Sequence, residues 1–276
     1  MKSCLPYTVR WACSAVGLAL ATTLCHAQQI PPQPAGNSES FSIGLVVGWT
    51  SEHTPADFLE LVGMQTKARW RQLYREPPPV PSPDRHRTAF TLGSLLSDSL
   101  LALQAADTQQ FRNTNQDVLA YCRVLGLGEK ISPRLMAQAK LAEQEKWDDL
   151  RQELVDGHQE LTRLLRDQRD EDLAVLVDLG VWLRELEIVS LIVVDVPELR
   201  VKPLCIGSPA LLNDLHERFM QMSEATRVKE DLADIGGMLD FLIRHWTDPK
   251  NDPPPQELVA RTHEKMKNLL RKLTMR

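Results

Sequence analysis

The sequence predicts an all-α fold, a multi-helix bundle of about seven to nine helices around one largely apolar central helix near residues 171–194. Three observations carry this. Apolar residues recur at helical spacing, as in the stripe Ala89, Leu92, Leu96, Leu100 and Leu103. A Ser or Thr followed by Pro, the pattern of an N-cap and a first helical position, recurs at Thr54-Pro55, Ser132-Pro133 and Ser208-Pro209. Between Leu173 and Leu191 the apolar residues cover nearly the whole helical circumference, which suits an element buried on every side.

Residues 1–27 read as an export signal peptide. Lys2 and Arg10 form its positive region, Trp11 to Leu24 its apolar stretch, and Cys25-His26-Ala27 a small-residue cleavage site. The apolar run of about 14 residues is short for a bilayer span, so cleavage is expected, with retention as an anchor the alternative. Such a leader sends the remaining chain to the periplasm or outside the cell. The lack of an N-glycosylation sequon and of a dense cysteine framework favours a bacterial source.

Residues 28–40 are polar and proline-rich and read as a flexible tether. Residues 41–76 form an N-terminal helical segment. In it Phe41 to Trp49 is ambiguous between strand and helix start, and a helix capped by Thr54 is expected to run to Tyr74. Five prolines between Pro77 and Pro83 break the chain, so 77–85 reads as a linker and 86–276 as the main helical domain.

Within that domain helices are expected from Thr88, with Asp98 on the side opposite its apolar stripe, and from Thr108 to Leu125, stopped by Gly126. Further helices are expected from Ser132-Pro133, over Asp148 to Asp170, and over Glu171 to Val194. The β-branched tail from Ile188 admits a strand paired with Leu199 to Ile206, and helix is preferred. The last three helices run from Pro209 to about Glu224, from about Arg227 to Trp246, and from Gln256 to Leu273, after a proline-rich loop at Asp248 to Pro255. Glycines inside these helices, including Gly93, Gly157 and Gly180, point to close helix crossings.

Loss of Lys2 and Arg10 with the leader takes the 32 basic residues to about 30 against 37 acidic ones, a net charge of about −7. A surface of that sign argues against general nucleic-acid binding. Of the five cysteines only Cys122 and Cys205 follow the leader. An oxidising compartment permits them to pair, closing a loop of about 80 residues at a gain of about 4 kcal/mol in the chain-entropy model, while burial as two free thiols is the alternative.

No assembled chemistry stands out. CxxCH, HExxH, CxxC, ExxH and GxSxG patterns are all missing, and Gly126 to Lys130 reads as a helix stop and turn rather than a phosphate loop. His216, Met220 and Met222 come nearest to a soft-metal set, yet the two methionines do not share a face. His158, His216, His245 and His263 read as solvated. No cofactor is implied. Asp178 and Glu185, seven apart on one stripe of the apolar helix, are the candidate ligand-binding pair, poised for a cation or basic group or else paired with neighbouring Arg or Lys. The basic C-terminal helix, with Arg261, Lys265, Lys267, Arg271 and Lys272, suits ordinary packing better than membrane contact. These features point to an exported, non-catalytic protein that binds another protein of the cell envelope, or alternatively a small ligand or metal beside the central helix.

Overall fold

The Thr54 hydroxyl accepts from the Asp57 amide at 3.2 Å, and Asp57 accepts from the Thr54 amide at 2.8 Å. This reciprocal capping box starts helix α1 (Pro55–Gln65). The computed structural model describes residues 54–196, 209–246, 248, 250 and 253–275. The expected leader and tether, the run Phe41 to Trp49 and residues 197–208 lie outside them. Among the described residues the protein is all-helical, with ten α-helices and no strand.

Helix α1 stops nine residues before Tyr74, at Gln65. Thr66 is extended (φ −132°, ψ 157°), its hydroxyl accepts from the Ala68 amide at 3.2 Å, and a 3-10 turn follows at Trp70–Leu73. The proline stretch leads to α2 (Arg85–Gln104), whose cap is Asp84, accepting from the amides of His86 and Arg87. Thr88, the residue expected to open this helix, instead ties back to the linker through its hydroxyl, 2.7 Å from the Ser82 carbonyl. Tyr121 also donates to Pro79, and α1 buries Phe58, Leu59, Leu61 and Val62 in the same core as the remaining helices.

Helices α3 (Thr108–Val124), α4 (Gly128–Glu143), α5 (Trp147–Asp167) and α6 (Glu171–Asp195) follow α2 through four very short turns. Each turn is built the same way. One residue takes positive φ, namely Ala106 (46°), Gly126 (78°), Glu145 (54°) and Arg169 (62°). The next amide reaches five residues back: Asp107 to Ala102, Leu127 to Cys122, Lys146 to Leu141, Asp170 to Leu165, at 2.8–3.0 Å. These are Schellman caps that satisfy the last carbonyls and reverse the chain, folding α2 to α6 into an antiparallel series. Helix α4 starts at Gly128, four residues before Ser132. The Ile131 amide bonds to the Leu127 carbonyl, so Pro133 sits inside the helix rather than at its first position.

Helix α6 is the centre. It is helical through Asp195, which decides Ile188 to Asp195 in favour of helix, and nearly all its side chains are buried. Around it lie α1, α2, α5, α7 (Pro209–Gln221) and α10 (Gln256–Thr274). Helix α7 ends at Gln221 rather than Glu224, because Ser223 caps a separate single turn, α8 (Glu224–Arg227), through the Thr226 amide at 3.3 Å. Helix α9 (Glu230–Trp246) packs on α7 and α10. Arg87 reaches from α2 to the carbonyls of Lys272 and Leu273 and fixes the last turn of α10.

Candidate functional site

Asp178 lies on α6 at the polar end of a cleft of about 290 Å³ between α2, α5, α6, α7 and the start of α1. That volume is at the small end of the range for ligand pockets. Apolar walls come from Leu96, Leu100, Leu154, Val181, Trp182 and Leu211. The helical repeat explains who else enters: Leu154, His158, Thr162 and Arg166 recur every four residues along α5, and Leu211, Asp214 and Arg218 every three or four along α7.

The Asp178 carboxylate gathers cations from both helices. His158 Nε2 is 2.9 Å from Oδ1, Arg218 Nη1 is 3.2 Å from Oδ2, and Arg166 Nη2 is 3.8 Å from Oδ2. Arg218 is also held by Asp214 at 2.9 Å, and its pKa is raised because the two carboxylates outweigh its burial. Arg166 is different. It is half-exposed, and its ion-pair distance is too long for a direct hydrogen bond. With two guanidinium groups and an imidazole already on Asp178, its carboxylate has little left to offer a further cation or basic ligand group. The two arginines balance Asp178 and Asp214, and Arg166, the less tightly held of them, is the group an anion could draw away.

Glu185 does not join this cleft. It is 0% exposed on α6, and neither carboxylate oxygen has a hydrogen-bond partner. Burial, with the Asp57 carboxylate adding to it, pushes its pKa well above the ordinary range. The two acids share a stripe but face different surroundings. Cys122 is a free thiol, 0% exposed, and burial pushes its pKa up to about 12. Its expected partner, Cys205, lies outside the described residues.

A second polar cluster went unread in the sequence. Asp98, expected on the outer side of α2, is mostly buried and shared by two guanidinium groups: Arg75 Nη2 is 2.7 Å from Oδ2 and Arg184 Nε 2.8 Å from Oδ1. Arg184 also pairs with Glu187 and donates to the Leu73 carbonyl at 3.0 Å. His263, expected in solvent, has a mostly buried ring 3.7 Å from Glu187, and His158 is likewise mostly buried against Asp178. His216 pairs with Asp240 at 3.2 Å, Met220 is half-exposed and Met222 buried. Among the described residues no group of three His, Cys, Asp or Glu side chains is placed to hold a metal ion. Nor is any described helix long and apolar enough to cross a membrane.

The fold and cleft define a class, an all-α bundle with an amphipathic cleft beside its central helix. Comparison with protein-family models, with curated proteins and with solved structures gives no match.

Proposed function

We propose that the chain is an exported, non-catalytic binding protein that takes a small molecule with an apolar body and an anionic group into the cleft at Asp178. The observation that carries this is Arg166. It is a loosely held cation at the polar end of an otherwise apolar cleft, beside Arg218 and His158, which Asp178 keeps in place. An incoming carboxylate has only to draw Arg166 over from a 3.8 Å contact, while Trp182 and the leucines receive the apolar part. Binding is preferred to catalysis because the polar groups are already committed: His158 spends Nε2 on Asp178, and the Thr162 hydroxyl bonds to the carbonyls of His158 and Gln159. Export rests on residues 1–27 and their charged, apolar and small-residue regions.

The test is titration of the full-length chain with 3-phenylpropanoate, followed by Trp182 fluorescence with Trp182→Phe as the control. Saturable binding weakened about tenfold or more by Arg166→Gln is expected, the loss of one charge-assisted hydrogen bond. Absence of saturation, or equal affinity in the variant, overturns the reading.

A further inference from the structure

On the opposite side of α6 from α5, a second cavity of about 320 Å³ lies between α6, α10 and residues 72–76. Its floor carries charges that cancel, since Arg184 is paired with Asp98 and Glu187 and Arg75 with Asp98. Its rim does not cancel. Lys267 and Arg271, one turn apart on α10, are exposed and line it. Arg271 bonds to the Asn268 side chain at 3.1 Å, and among the described residues neither cation has a carboxylate partner. Glu76 is the acid on that rim, which leaves one positive charge in excess. Below the rim lie Ile188, Leu191 and Leu270. On the wall the Thr274 hydroxyl, in a residue only 3% exposed, has no hydrogen-bond partner. A buried hydroxyl is seldom left unpaired; this one is shielded from solvent, and a turn of the Thr274 side chain toward an entering group would supply its partner.

We propose that this cavity is a second binding site, for a small carboxylate or phosphate ester on a short aliphatic chain. Lys267 and Arg271 take the anionic group, Thr274 donates to it, and Ile188, Leu191 and Leu270 hold the chain. The site is independent of the cleft at Asp178, sharing no lining residue with it.

The experiment is methyl NMR on the full-length, methyl-labelled chain titrated with octanoate and, separately, with octyl phosphate. Saturable shifts at the Ile188 and Leu191 methyls with either anion are expected, with little response to octylammonium. Lys267→Gln with Arg271→Gln should weaken this binding tenfold or more. Thr274→Val should weaken it about threefold or more without lowering Tm, because the hydroxyl has no protein partner to lose. The Val181 and Leu211 methyls report the cleft separately, and Arg166→Gln should leave the Ile188 response unchanged. No shift at Ile188 and Leu191, an equal response to octylammonium, or unaltered affinity in the double variant overturns the proposal.

Discussion

Gly93 and Gly180 meet where α2 crosses α6, and neither position has room for a β-carbon. A Cβ on Gly93 would overlap the carbonyl oxygen of Val177, and one on Gly180 the carbonyl oxygen of Phe90. Both obstacles are backbone, which cannot swing aside, so the two central helices must separate to admit a methyl group. Gly93→Ala and Gly180→Ala are each expected to cost about 3 kcal/mol in urea unfolding. Gly237, inside α9, has nothing within 4 Å of its Cβ position. Gly237→Ala is therefore expected to stabilise by up to about 1 kcal/mol through helix propensity alone.

The four Schellman turns give a second prediction, in the opposite direction. Gly126 adopts its left-handed conformation without strain, whereas Ala106, Glu145 and Arg169 hold the same region of φ with a β-carbon. All three are exposed. Replacing each by Gly should raise stability by about 0.5–1 kcal/mol. The Ala106 and Glu145 turns meet at the Ala142 carbonyl, which accepts from the Thr108 hydroxyl and from the Glu145 amide, both at 3.1 Å, so their effects on the urea midpoint should couple, whereas that of Arg169 should add to either.

Glu185 makes stability depend on pH. Below its ordinary value of 4.5 the carboxyl is protonated in the folded and the unfolded chain and adds no penalty. Above that value the unfolded chain releases the proton while the folded one retains it, so stability falls as pH rises toward the raised folded-state pKa. Glu185→Gln removes the titration. The variant should be more stable than the parent at pH 7–8, by about 1 kcal/mol or more, and the gain should vanish near pH 4. A gain that is constant with pH would show that the carboxyl is not held neutral.

The expectation that Asp178 and Glu185 act together shows how far a sequence can be read. Period and composition made α6 legible as a buried helix, because apolar residues around a full circumference have one physical explanation. What surrounds each acid depends on which neighbour covers that turn, and neighbours such as His158, Arg166 and Arg218 come from α5 and α7, far off in sequence. A signal was there in principle: His158 interrupts the apolar stripe of Leu154 and Leu161 on α5. The helix ends were misplaced for a local reason. Ser132-Pro133 has the grammar of a start, yet the Schellman turn at Gly126 lets α4 begin at Gly128, and a proline in the first two turns costs few hydrogen bonds. Asp98 was read outward because helical projection cannot show that Arg75 and Arg184 fold over it.

That cluster supplies the last prediction. Asp98 is the shared anion of two mostly buried guanidinium groups, and Arg184, only 4% exposed, ties α6 to α2 through Asp98 and to the 3-10 turn through the Leu73 carbonyl. The Arg184 pKa is raised, since Asp98 and Glu187 outweigh its burial, so its charge persists at any ordinary pH and cannot be relieved by deprotonation. Asp98→Ala therefore leaves two cations with Glu187 alone and should cost about 3–5 kcal/mol. Asp98→Asn keeps the shape and some hydrogen bonds, and should cost less. Because the pairs are desolvated, the loss should persist at 0.5 M salt, where an exposed pair would be screened. Urea unfolding of the three chains at low and high salt measures both differences, and a loss for Asp98→Ala under 1 kcal/mol would mean that water already solvates the two arginines.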